Sequence, residues 1–158
     1  MVDEVHDIAK LAAGFDFLDD HQRRCRAANG AQILISQTAS EFVKRTDDGE
    51  RSLLENISVF FVYPVSEKED AILRSHAQMT EEAIRVVHEL RSKPGEYNEV
   101  MCWMKKTTGP EGGRLRVRMS RADRAMFSSD AYDREKRQKA VEKTGDTLEG
   151  VRQLMEVL

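Results

Sequence analysis

Four groups of side chains have the types and spacing that chemistry needs. Asp3-Glu4 is a carboxylate pair directly behind the apolar stub Met1-Val2. At a strand end such a pair serves phosphoryl transfer: the Asp holds the Mg²⁺ hydration shell and the Glu polarises the attacking water. An acidic helix N-terminus, favoured by the helix dipole, produces the same dipeptide without a reaction. Gln37, in Ser36-Gln37-Thr38, follows the apolar run AQILIS. The carboxyl end of a parallel strand is where open α/β sheets bind ligands, and a Gln there can hydrogen-bond a water and a γ-phosphate together. The other reading is a turn residue before a Thr cap. Arg23, Arg24 and Arg26 can reach a neighbouring subunit's phosphate as arginine fingers, or form a solvated cationic last helical turn. Arg114, Arg116 and Arg118, with Arg121 and Arg124 beyond them, can grip nucleic-acid phosphates or pair with the acidic helices.

Other reactive chemistry lacks a pattern. His6, His21, His76 and His88 are isolated, without the spacings of metal ligands, and read as surface or helix-face residues. No Ser/His/Asp or Cys/His arrangement for nucleophilic catalysis stands out. Cys25 and Cys102, the two cysteines, make no disulfide framework and read as reduced, buried thiols.

The elements that must position these groups follow from the apolar periodicity. Ile8, Leu11, Ala12, Phe15 and Leu18 predict a helix over 6–28, with Gly14 able to split it and Asn29-Gly30 ending it. AQILIS predicts a strand buried on both faces. Thr38 to Glu41 reads as a capping box that opens a helix through Phe42 and Val43. A loop spans Thr46 to Gly49, and Arg51 to Asn56 reads as another helical turn. ISVFFVYP predicts a second continuous apolar strand, stopped by Pro64. Ser66 to Glu69 is a second capping box, and Thr80 caps a helix with Ala83, Val86, Val87 and Leu90 on one face. Two buried-type strands separated by helices predict a parallel βαβ unit. Tyr97–Lys105 and Arg114–Met119 then predict a long-loop β-hairpin whose second strand alternates Arg114, Arg116 and Arg118 with Leu115, Val117 and Met119. From about Arg121 to the end the chain reads as helical, divided at Gly145, with Asp146 to Glu149 capping the last helix.

The chain has 158 residues, a formal charge of −3, 40 % hydrophobic and 34 % charged residues. That length is consistent with one domain over 1–158, made of an α/β part (1–92), a β-hairpin (93–120) and a helical part (121–158). No apolar run approaches the ~18 residues of a membrane span. Nine Gly and three Pro exclude collagen-like and long disordered classes. The acidic N-terminus has no apolar core of a signal peptide, so a cytoplasmic location is expected.

Taken in order, DEVH, FDFLDDHQRRCRAANGAQILISQTASEF and LLENISVFFVYP resemble the second half of the conjugative type IV secretion ATPases, RecA-like hexameric P-loop motors. That family's pattern has a Walker B acidic pair, a helix with spaced Arg residues before Asn-Gly, a strand ending in a Thr/Ser-Gln pair, and an Asn before a buried strand. GEYNEVMCW, the strand from Gly113, FSSD and the segment Gly145 to Met155 are similar to its C-terminal end. The resemblance implies an α/β fold with a partial RecA-like parallel sheet flanked by helices, followed by the hairpin and C-terminal helices. It implies Asp3 as the Walker B Asp, meeting Mg²⁺ through water in an intact motor, and Glu4 as the catalytic Glu. It implies Gln37 as the sensor, and Arg23 and Arg26 as arginine-finger positions. Tyr97 and Asp130 match family positions without an assigned role.

The departure from the family is the phosphate loop. No GxxxxGK[ST] motif occurs, and Gly112-Gly113-Arg114 lacks the Lys-Ser/Thr that would cradle and ligate phosphate and Mg²⁺. The resemblance therefore implies the carboxyl-terminal part of a motor, from Walker B onward. ATP and Mg²⁺ belong to the intact assembly and are not expected to be bound or turned over by this chain alone. A sheet cut there exposes an edge and an apolar face, so a homo-oligomer is expected. Other secretion-apparatus proteins, and a location at the inner face of the cell membrane, are the implied surroundings. The rival expectation is a standalone regulatory or binding module, which docks on such an apparatus or contacts DNA through Arg114, Arg116 and Arg118.

Overall fold

A computed structural model describes residues 1, 5–11, 13–47, 49–94, 96–118, 120–128 and 131–157, with the side chains of Arg26 and Val157 left aside. The fold is mixed α/β. Its elements are α1 (Val5–Ala9), α2 (Gly14–Ala27), β1 (Val43–Thr46), β2 (Gly49–Ser52), β3 (Val59–Val62), α3 (Asp70–Ser75), α4 (Glu81–Glu89), β4 (Ser92–Lys93), β5 (Tyr97–Met104), β6 (Glu111–Val117), α5 (Arg121–Phe127), α6 (Ala131–Thr144) and α7 (Thr147–Val157). Two compact units divide the chain, Met1–Leu90 with Val100–Leu115, and Arg91–Glu99 with Arg116–Leu158.

In the first unit the predicted N-terminal helix is split at Gly14. A Cβ there would lie 1.7 Å from the Ile8 carbonyl oxygen, so only glycine allows this approach of α1 to α2. Along α2, Phe15, Leu18 and Gln22 form the buried face at three- and four-residue steps. The Gln22 amide donates to the Leu53 carbonyl at 3.3 Å. Asn29, at φ 52°, ends the helix, and the Gly30 N–H donates to the Cys25 carbonyl at 2.7 Å, as the Asn-Gly signal predicts.

The segment Thr38 to Asn56 differs from its prediction. Residues Ala39–Phe42 form a single 3-10 turn, then β1 and β2 pair as an antiparallel hairpin with Val43 opposite Ser52. Thr38 caps nothing with its side chain. Glu41, which the capping box needs, takes the Ser36 hydroxyl instead. The helical turn expected over Arg51 to Asn56 shortens to a 3-10 turn, Leu53–Asn56, capped by the Ser52 hydroxyl.

The parallel βαβ pairing expected for AQILIS and ISVFFVYP is not found among the described strands. β3 pairs antiparallel with β5, setting Phe60 opposite Trp103 and Val62 opposite Met101. AQILIS is extended but covered on one side only, with Leu34 packed on the core and Ile33 and Ile35 57 % and 42 % exposed. An apolar run buried on both faces needs a second covering layer, and none of the described elements supplies one. The core gathers Phe15, Leu18, Leu53, Phe60, Leu73, Val87 and Trp103. α4 forms as predicted, its Ala83 N–H capped by the Thr80 hydroxyl at 3.2 Å. Lys105 donates to the carbonyls of Leu54, Glu55 and His76 at 2.8–3.3 Å, tying two helix ends together.

The second unit begins with β4 pairing antiparallel with the first residues of β5, Ser92 opposite Asn98. The β5–β6 pairing fulfils the predicted hairpin, with β6 starting three residues earlier than expected. Ser120 caps α5 through the Asp123 N–H at 3.1 Å. Gly145, at φ 70°, ends α6, and Asp146 caps α7 through the Glu149 N–H at 2.9 Å, both as predicted. A small core of Ala125, Val151 and Leu154 joins the three helices. Among the described residues no helix is long and apolar enough to cross a membrane.

Candidate functional site

Asp3 and Glu4 lie outside the described residues, as does Asp130. The residue that follows the acidic pair is informative. The Val5 N–H donates to the Ile35 carbonyl at 3.0 Å, so α1 begins at the carboxyl end of AQILIS. Beside this contact the Ser36 hydroxyl meets the Glu41 carboxylate, with His6 Nδ1 3.8 Å from the same carboxylate and His6 Nε2 3.0 Å from Asp7. Gln37 is exposed at the bend that follows.

The arginines of α2 do not act as one cluster. Arg23 donates to both Asp19 oxygens at 3.3 and 3.0 Å, and Arg24 donates to Asp20 at 2.9 Å, both one helical turn back. Arg26 lies on the same helix. Asp19 is the hub that sequence reading missed. It is buried, and it accepts from Arg23, from Arg51 Nη2 at 2.8 Å and from Asn56 at 3.3 Å. Arg51 also donates to Asp16 at 2.7 Å, and these two carboxylates, Asp16 foremost, hold its guanidinium above its ordinary pKa. The hub thus ties α2 to Arg51 of β2 and to Asn56 just ahead of β3. Nothing local in the sequence signals it, because Arg51 and Asn56 come from more than thirty residues away.

Asp19→Ala should therefore lower stability by about 1.5–3 kcal/mol, since buried hydrogen bonds to charged groups are lost together. Arg23→Ala should cost under about 1 kcal/mol, because its side chain is 68 % exposed and re-solvates freely. Urea melts of the two variants check the contrast, and equal losses would show that Asp19 is not a hub.

The cationic strand face also divides. In the first unit Arg114 pairs with Glu89 at 3.1 Å. In the second unit Arg116 donates to Glu99 at 2.8 and 3.3 Å, which raises the pKa of its guanidinium, and it lies over the Tyr97 ring at 4.1 Å from the ring centre. Glu99 is 3 % exposed and also accepts from the Arg91 N–H at 3.0 Å. Arg124, expected on the cationic face, points to Asp133 at 2.9 Å instead. Tyr97, Arg116, Arg118 and Arg121 line an open cleft with Glu96. The alternation of β6 signals the arginines, but not the Tyr97 platform on the partner strand.

Among the described residues no group of three His, Cys, Asp or Glu side chains is placed to hold a metal ion. Gly112 and Gly113 belong to β6 and form no phosphate cradle. A Cβ on Gly112 would lie 2.3 Å from the Cys102 carbonyl oxygen, so this glycine serves strand packing. No protein-family model, curated protein or solved structure matches the chain.

Proposed function

We propose that the chain is the carboxyl-terminal part of a conjugative type IV secretion ATPase, working only where another segment supplies the phosphate loop. The observation that carries the reading is the 3.0 Å hydrogen bond from the Val5 N–H to the Ile35 carbonyl. A water-polarising Glu and a sensor Gln have to address one γ-phosphate, so the ends of their two segments must be neighbours. Val5 directly follows Glu4, and Ile35 stands two residues before Gln37. In this reading Asp3 meets Mg²⁺ through water, Glu4 polarises the attacking water, Gln37 senses the γ-phosphate, and Arg23 or Arg26 reaches a neighbouring protomer's phosphate. The exposed side chains of Ile33 and Ile35 then await a covering layer from the rest of the motor, and the motor is a homo-oligomer among other secretion proteins at the inner face of the cell membrane.

Joining the chain to a segment with a GxxxxGK[ST] loop encoded upstream of Met1 tests this reading. The joined product should hydrolyse ATP, and Glu4→Gln should lower kcat by about 10²–10⁴, the usual worth of a positioned general base. The isolated chain should show no turnover above background. Turnover by the isolated chain, or a joined enzyme indifferent to Glu4→Gln, would overturn the proposal.

A further inference from the structure

The cleft of the second unit has a volume of about 590 Å³ and is lined by Glu96, Tyr97, Arg116, Arg118 and Arg121. Its charges do not cancel. Glu96 is held by Lys93 at 2.5 Å. Arg116 is held by Glu99. Arg118 and Arg121 are exposed and have no carboxylate partner among the described residues. Two uncompensated guanidinium forks therefore face one opening, in a chain whose net charge is −3. Beside them stands a flat stack, Arg116 over Tyr97, with Glu99 fixing the plane of the guanidinium.

The two features ask for different parts of one ligand. Free guanidinium forks match phosphate oxygens in bidentate geometry. Aromatic rings and guanidinium planes stack splayed bases, and such stacking tolerates any sequence. An acidic peptide would satisfy Arg118 and Arg121 but leave the stack without a role. An open cleft on exposed side chains suits a strand that passes through better than an enclosed mononucleotide. We propose that this cleft binds single-stranded nucleic acid, with phosphates on Arg118 and Arg121 and a base against the Tyr97–Arg116 stack. The site lies wholly in the second unit and does not depend on ATP turnover.

Fluorescence anisotropy with a labelled oligothymidylate of about 12 nucleotides tests the site. The whole chain should bind it with an affinity that falls as salt rises. Arg118→Ala with Arg121→Ala should weaken binding about tenfold or more and shrink the slope of log K against log salt by about 1.4, the loss of two single-strand phosphate contacts. Both side chains are exposed and unpaired within the described structure, so the variant should fold. Tyr97→Ala should weaken binding about tenfold with little change in slope, because stacking is not ionic. Arg85→Ala with Arg134→Ala removes the same charge at exposed positions elsewhere and should leave the slope unchanged. Three results would overturn the proposal: wild-type binding by the Arg118/Arg121 variant, an equal loss in the Arg85/Arg134 variant, or no binding at all. Competition by thymidine monophosphate as strong as by the oligonucleotide would replace the strand with a mononucleotide. Competition as strong by oligoglutamate would reduce the site to a general anion trap.

Discussion

Asp133→Ala should unfold α5, α6 and α7 while the fluorescence of Trp103, the one tryptophan, keeps its folded signature. Asp133 is 2 % exposed and accepts from Arg124 Nε and Nη2, both at 2.9 Å, and from the Ser128 hydroxyl at 2.8 Å. Removing the carboxylate strands a partly buried guanidinium, a loss of about 3–5 kcal/mol. The hydrophobic core that must absorb this loss is small: among the described residues its buried members are Ala125, Val151 and Leu154. Trp103 belongs to a different core, so it reports on the other unit. The pH dependence follows the same pair. Arg124 foremost, with Ser128, holds the Asp133 carboxyl below its ordinary pKa. A depressed carboxyl contributes stability above its unfolded value of about 3.9, and that contribution is lost as pH falls through the lower folded value. Helix circular dichroism should therefore fall in the acid range below about pH 4 in the wild type, and Asp133→Asn should remove that acid step. A joint loss of helix signal and tryptophan signal in Asp133→Ala would show that the two cores do not melt separately.

What could be read from the sequence was local. The Thr80 cap and the Ala83, Val87 and Leu90 face of α4 need only a helical period and one hydroxyl. Gly145 and Asp146 punctuate α6 and α7 for the same reason. The hairpin of β5 and β6 is announced by alternation and a Gly-rich loop. What failed depended on partners far along the chain. The capping box at Thr38 is undone because Glu41 turns to Ser36, while the Ser40 N–H donates to Glu69 at 2.9 Å, twenty-nine residues away. The pairing of β3 with β5 likewise joins segments some forty residues apart, which a helical pattern between two apolar runs does not reveal. AQILIS and VFFV look alike as apolar runs, yet each exposes alternate side chains, Ile33 and Ile35 in one, Val59 and Phe61 in the other. Periodicity reports that a run is apolar, not how many layers cover it. For the candidate sites the types were legible and the partners were not. Arg23 and Arg116 stand out in the sequence, but Asp19 and Glu99, which orient them, do not.

Trp103→Ala should be the most damaging single change in the first unit. The indole is buried opposite Phe60, and its N–H donates to the buried Ala77 carbonyl at 3.1 Å. β6 packs on it so closely that a Cβ on Gly112 would lie 2.7 Å from the ring. Truncation leaves a cavity between three segments that cannot all collapse, and it orphans a buried carbonyl. The expected cost is about 3–5 kcal/mol, or roughly two to three and a half orders of magnitude in the folding equilibrium at about 1.4 kcal/mol per tenfold. Trp103→Phe separates the two terms. It keeps most of the ring volume and loses only the N–H, so it should cost about 1–3 kcal/mol. Hydrogen exchange gives the location. Amides of Val59–Val62 and of 101–104 should lose protection in Trp103→Ala, whereas those of α6 and α7 should keep theirs, the reverse of the Asp133→Ala pattern. Equal costs for the alanine and phenylalanine variants would mean that the cavity relaxes and the hydrogen bond alone matters. Loss of protection in α6 and α7 would tie the small helical core to the larger one.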